Sequence, residues 1–118
     1  MKNYDIVIIG AGCSGLSLAY RLIDSPFSVC VIDNSPRENR IRKTWSYWHT
    51  YNHPFRHLEM EPNLLLKIKN IEETILDCKD YNYCSIDSYD FDDYVITKID
   101  SSKNISLYFE ESISDIKK

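Results

Sequence analysis

The sequence predicts an α/β fold: a parallel sheet opened by a strand–helix–strand unit. Three observations carry that prediction. Tyr4 to Ile9, "YDIVII", is β-branched and almost continuously apolar, the pattern of a strand buried on both faces. Gly10, Gly12 and Gly15, the only glycines in the chain, then spell G-x-G-x-x-G. Phe27 to Ile32, "FSVCVI", is a second apolar run, and it ends on the acid Asp33.

The elements follow in order. Leu16, Ala19, Tyr20 and Ile23 fall at i, i+3, i+4 and i+7, so Ser14 to Ile23 reads as a helix with one apolar stripe. Pro26 stops it. Strand, tight turn, helix and strand within about thirty residues make a βαβ unit with a right-handed crossover. Residues 34–57 read as a long irregular connection. Within it, "NSPRENR" is turn chemistry, and "TWSYWHTYNHPF" packs five aromatics and two histidines into twelve residues. Leu64 to Ile68 and Thr74 to Leu76 are modest strand candidates. "SIDSYDFDDYVITKI" then carries a helix signature. Asp87 or Ser88 caps it, and Asp90, Asp92 and Asp93 crowd the first turn, where the helix dipole favours acids. Phe91, Tyr94, Val95, Lys98 and Ile99 repeat at helical spacing. "NISLYF", residues 104–109, alternates as a strand. Two strands from the βαβ unit and one near residue 105 leave the sheet incomplete. Residues 1–118 are therefore expected to be the N-terminal part of a larger domain, with the remainder absent from this chain.

Composition narrows the classes. The hydrophobic share of 43% suits a globular core, and the formal charge of −4 with scattered charges argues against a nucleic-acid partner. Cys13, Cys30, Cys78 and Cys84 form no C-x-x-C, which predicts reduced, cytosolic thiols rather than a disulfide framework. The apolar start follows Met1 at once and is broken by glycines and Arg21, so no signal peptide is expected. No stretch approaches the ~20 apolar residues of a membrane span. Attachment to a membrane surface stays open.

Each glycine has a physical task. Gly10 ends the strand in a tight turn, Gly12 lets the backbone approach a pyrophosphate, and Gly15 lets the helix pack close to the strands. The helix start then offers N–H donors and a positive dipole end to phosphates. Asp33 lies 23 residues after Gly10, where a carboxylate accepts from both ribose hydroxyls. It would repel a 2′-phosphate, which favours FAD or NAD over NADP. The expected cofactor-binding residues are Gly10, Ala11, Gly12, Cys13, Ser14, Gly15 and Asp33, in a Rossmann-like domain. "DIVIIGAGCSGLSLAYRL" also resembles the FAD-binding start of the flavoproteins that include aromatic hydroxylases and geranylgeranyl reductases, and that resemblance points to FAD.

Two further segments are more specific. "RIRKTWSYWHTY", residues 40–51, resembles the segment after the second strand in bacterial-type lycopene cyclases through its T-W-S-aromatic core. "YCSIDSYDFD", residues 83–92, resembles the Y-x-S-I-D-S-x-x-F stretch of the same family. With the glycine turn, the resemblance touches most of residues 4–99; residues 52–80 match poorly. It implies an enzyme, an intramolecular lyase or isomerase, that closes the ends of linear lycopene into rings. An acid protonates the terminal double bond, a carbocation forms, the ring closes and a proton leaves. Reduced FAD is required without net redox change, with NAD(P)H as a source of electrons. The family's acidic catalytic motif lies downstream of this region, so no catalytic residue is assigned. The reduced thiols and the lack of a signal peptide predict a cytoplasmic protein, with peripheral contact to the inner membrane left open. Oligomeric state is unassigned.

The remaining residues carry two readings each. Trp45, Tyr47 and Trp48 suit an apolar polyene or its cation, and Trp45 and Trp48 share a face if the segment is helical. The bland reading is packing in a lid or core edge. Asp87 is a helix cap before it is a functional acid. His49, His53 and His57 recur every four residues, but Pro54 interrupts them and no further ligand completes a set, so solvated or capping histidines are expected and no metal. The alternatives to the cyclase are another FAD-dependent oxidoreductase, of the aromatic hydroxylase or polyprenyl reductase type, and a non-catalytic nucleotide-binding remnant.

Overall fold

The structure, a computed structural model, describes residues 2–49, 52–60, 67–69, 73–75 and 82–116; at 48, 49, 67–69, 73–75, 82 and 83 it describes the backbone alone. The chain forms two compact units, Met1–Ile41 with Asp92–Lys118, and Arg42–Phe91.

The first unit holds the parallel sheet. Strand β1 (Ile6–Ile9) leads through the glycine turn into helix α1 (Cys13–Arg21) and returns as β2 (Val29–Ile32). Strand β8 (Ile105–Tyr108) joins on the other side, giving the order β1-β2-β8 with both pairings parallel. Central β2 is buried along Val29, Cys30 and Val31, as its continuous apolarity requires. Strand β1 corrects an expectation. It is covered on one face only: Ile8 is buried, while Val7 and Ile9 are 52% and 62% exposed. Among the described residues it has one neighbouring strand, and α1 covers the Ile8 side, with Leu16 and Ala19 fully buried. Asn104 ties the loop after α1 to the start of β8. Its Nδ2 donates to the carbonyls of Leu22 (2.9 Å) and Phe27 (3.0 Å).

The second unit holds antiparallel strands. Strand β3 (Thr44–His49), a 3-10 turn (Arg56–Leu58), β4 (Glu59–Met60), β5 (Lys67–Lys69), β6 (Glu73–Ile75) and β7 (Asn82–Asp87) follow in sequence. One sheet has the order β3-β7-β4, and β5 pairs with β6. Here too the structure departs from expectation. The stretch 34–57, whose sequence reads as irregular, contains strand β3, and Asn82–Asp87, which carries no strand signal in sequence, forms β7. Of the modest strand candidates, 67–68 and 74–75 fall in β5 and β6; residues 64–66 and 76 lie outside the described residues.

Helix α2 (Ser88–Asp100) starts where β7 ends. Asp87 caps it: Tyr89 N–H donates to Asp87 Oδ1 at 2.9 Å. Phe91, Val95, Ile96 and Ile99 are buried. Lys98 is exposed, with its ammonium 5.7 Å from the Tyr94 ring centroid. Among the described residues no helix is long and apolar enough to cross a membrane.

Candidate functional site

The glycine turn sits at the carboxyl end of β1. Gly10 has φ +101°, a conformation that side-chain-bearing residues rarely adopt, and its N–H donates to Ile32 O at 2.8 Å. A Cβ on Gly15 would collide with the Gly10 carbonyl oxygen and lie 3.3 Å from Ile8 Cγ2. Helix α1 therefore comes this close to β1 only because residue 15 has no side chain. Gly12 differs. A Cβ there meets nothing within 4 Å, so its face is open. Gly12 is also the N-cap of α1, with φ −79° and no side chain capping the helix. Its first turn holds no acid. Bare N–H groups and an open approach are what a phosphate needs.

Asp33 closes this turn from the end of β2. Ala11 N–H donates to Asp33 Oδ2 at 2.5 Å, and Ser35 N–H donates to Oδ1 at 2.7 Å. The Ser35 hydroxyl also donates to Oδ1. Burial pushes the carboxyl up, but the Ser35 hydroxyl, the Ala11 and Ser35 N–H groups and the nearby Arg40 charge outweigh it, so Asp33 lies below the ordinary carboxylate range. A carboxylate offers roughly four acceptor positions. Ser35 takes both on Oδ1 and Ala11 takes one on Oδ2. The expected double acceptance from a ribose thus has to share Asp33 with Ser35.

Sequence reasoning missed Arg40. Its Nη2 donates to Ala11 O at 2.7 Å and lies 3.9 Å from Asp33 Oδ2; Nη1 lies 3.4 Å from Asp92 Oδ2. The Phe109 ring lies under the guanidinium, 5.7 Å away. A cation held by one carbonyl and two loosely placed carboxylates borders the turn. Burial raises Asp92 above the usual range, partly offset by Arg40. Inside "NSPRENRIRK" no periodicity marks Arg40 from its neighbours, which is why sequence alone did not find it.

A cavity of about 330 Å³ opens at the carboxyl ends of β1 and β2. Ile9, Gly10, Ile32, Asp33 and Asn34 form one side, and Glu111, Ser112 and Ile113 the other. The segment after β8 is held there by Glu111 N–H donating to Asp33 O at 3.1 Å. Open parallel sheets bind ligands at this end of their strands. Cys13 opens α1, half-buried, and burial pushes its thiol up. Cys13 and Cys30 are free thiols, and Cys78 lies outside the described residues.

The second unit positions the aromatic segment. Trp45 and Tyr47 lie on strand β3, not on a helix. The helical spacing on which a face shared by Trp45 and Trp48 depends is therefore not present. Trp45 is half-buried and meets the Phe91 ring edge-on, with centroids 5.2 Å apart. Across the ladder, Thr44, Trp45 and Ser46 stand opposite Asp87, Ile86 and Ser85, and the Ser46 and Ser85 hydroxyls are 2.8 Å apart. Asp87 also accepts from Arg42 Nε at 2.7 Å. The Tyr89 N–H and Arg42 hold its carboxyl below the ordinary range. The three histidines do not align: His49 ends β3, His53 is in a loop, and His57 is in the 3-10 turn. Among the described residues no group of three potential ligands could hold a metal.

A parallel sheet, a glycine turn with an open helix start and an acid ending the second strand define a Rossmann-like α/β fold. The solved structures it resembles have that fold. PqsL of Pseudomonas aeruginosa in complex with 2-aminobenzoylacetate matches with a TM-score of 0.59 and 17% identity, over 92% of this chain and 34% of PqsL. A second PqsL structure, of a protein described as a probable FAD-dependent monooxygenase, matches with a TM-score of 0.56 and 17% identity, over 92% and 33%. The chain thus spans about a third of the length of the solved structures it matches. No curated protein matches it. The family profile described as Lycopene cyclase protein matches residues 5–108, and the chain belongs to that family.

Proposed function

We propose that this chain is the FAD-binding part of an enzyme that closes the ends of linear lycopene into rings by protonation and cation cyclisation, without net redox change. The observation that carries the reading is the open face of Gly12 beside an uncapped helix start, in a chain of the lycopene cyclase family. Gly10, Ala11, Gly12, Cys13, Ser14 and Gly15 would hold the pyrophosphate, Asp33 a ribose hydroxyl, and Arg40 would supply positive charge beside the turn. Bound in its reduced form, with NAD(P)H as electron source, FAD supplies an electron-rich ring system that favours nearby cationic charge. Trp45, Tyr47 and Trp48 are the candidate polyene contacts, with Trp45 and Tyr47 two apart on one strand, since aromatic faces accept both apolar chains and cations. An apolar polyene substrate also suits peripheral contact of a cytoplasmic protein with the inner membrane; nucleic acid is no part of this reading.

The test is a turnover experiment on the intact enzyme with lycopene in deuterated water. The expected product is a cyclic carotene carrying deuterium on each ring formed, with no stoichiometric loss of NADPH. A hydroxylase or reductase would consume NADPH with each turnover, and its product would gain oxygen or two hydrogens. Either result overturns the cyclase reading.

A further inference from the structure

The backbone of Ala11 is gripped from two directions. Its N–H donates to Asp33 Oδ2, and its carbonyl accepts from Arg40 Nη2 at 2.7 Å. Ala11 is itself 1% exposed. The Ala11 carbonyl and the Gly12 N–H belong to one planar trans peptide, so they point in opposite directions. Whatever fixes the carbonyl therefore fixes the direction of the Gly12 N–H. That N–H belongs to the residue whose face is open at the start of α1.

Arg40 does not come from a rigid element. It lies in the connection between β2 and β3, outside any helix or strand. A long side chain in such a place gives up much conformational freedom when it is held. A neighbouring helix supplies the hold. Arg40 Nη1 is buried and lies 3.4 Å from Asp92 Oδ2. A guanidinium is a flat, rigid fork, so Asp92 at Nη1 and the Ala11 carbonyl at Nη2 together set its plane. Asp92 sits on α2, which is anchored through buried Val95, Ile96 and Ile99. Ala11, Gly12, Asp33, Arg40 and Asp92 all belong to the first unit.

The acids at the start of α2 divide on this point. Asp90 and Asp93 are exposed, where they serve the helix dipole. Asp92 is turned inward, and its side chain and that of Arg40 are each 16% exposed. Burial works against the Asp92 charge, while Arg40 favours it. The dipole asks for no inward-facing acid, and what Asp92 faces is Arg40.

We propose that Asp92 and Arg40 are positioning residues for the glycine turn: Asp92 holds the Arg40 guanidinium on the Ala11 carbonyl, and that bond sets the Gly12 N–H for the diphosphate of a dinucleotide. The ligand named here rests on the reading of the turn as an FAD site. Setting the peptide before the ligand arrives lowers the ordering cost of binding.

The chain has only three glycines, so glycine-selective isotope labelling gives an NMR amide spectrum with one peak for each. Gly10 and Gly15 serve as internal controls. Asp92→Ala places the strongest helix former on α2, and Arg40→Gln lies in a connection. The two variants cut the same link from either end, so each decides where the other does not fold. Without ligand, the Gly12 peak is expected to move in both variants while the Gly10 and Gly15 peaks stay. In FAD titrations followed by flavin fluorescence, the Kd should rise about tenfold in each variant, and in the double variant no further than in Arg40→Gln. A role of Asp92 in helix stability alone would leave the Gly12 peak in place and add its loss to that of Arg40→Gln. With FAD bound by the unmodified protein, an unmoved Gly12 peak, additive losses, or undiminished affinity in Asp92→Ala overturns the proposal and leaves the FAD reading standing. No binding of FAD by the unmodified protein overturns that reading, and the proposal with it.

Discussion

Gly12 and Gly15 stand in one motif, yet they are required for different reasons. Gly15 is structural, because a Cβ there collides with the Gly10 carbonyl. Gly15→Ala should destabilise the protein by about 3 kcal/mol or more, in the tail of single-substitution effects, as chemical denaturation would measure. Asp33 also carries a stability term. Its folded-state acidity is stronger than that of an unfolded aspartate, whose pKa is about 3.9. The stabilisation is therefore complete above that value and is lost as pH falls through the lower, folded one. Asp33→Asn should reduce Tm at neutral pH, and the gap to the unmodified protein should close below about pH 4. A gap that stays constant across that window would mean that the carboxylate's bonds to Ala11 and Ser35 do not hold in solution. The glycines and Asp33 were legible in sequence because each has a fixed place relative to the strands. Arg40 was not, because its role comes from contacts with Ala11 and Asp92, distant in the chain.

At the scale of elements, the two family-specific segments turn out to be one object. Thr44-Trp45-Ser46 and Ser85-Ile86-Asp87 face each other residue by residue as adjacent strands β3 and β7. No periodicity reveals this. Trp45, Tyr47 and Ile86 alternate with Ser46 and Ser85, but the alternation is short and its aromatic weight reads equally well as a loop. Helix α2 was more legible, since acids in the first turn and an apolar stripe both mark it. Its cap joins the two elements, because Asp87 ends β7 and accepts from the Tyr89 N–H. Asp87→Ala should lower Tm by loosening the first turn of α2 and releasing Arg42. Asp87→Asn, whose side chain can still cap, should recover most of the loss. Equal Tm values for Asp87→Ala and the unmodified protein would show that the cap does not stabilise the junction.

At the scale of the whole molecule, the parallel sheet was legible because its strands are apolar runs separated by a glycine turn, a helix and a capped second helix. Its burial was misjudged at β1, where continuous apolarity suggested two covered faces and the described residues cover one. Apolar sequence reports what a strand tolerates, not what lies against it. The second unit was the least legible part, since its short antiparallel strands pair across long separations and carry no two-residue hairpin signal. In the proposed function, the turn at Gly10–Gly15 holds the pyrophosphate of FAD. The direct measurement is titration of FAD, followed by quenching of flavin fluorescence, against the unmodified protein and Gly12→Val. A side chain at residue 12 meets open space, so the variant should fold, with unchanged circular dichroism. Saturable quenching is expected from the unmodified protein and none from folded Gly12→Val. Equal FAD affinity in the two, or no binding by the folded unmodified protein, would contradict it.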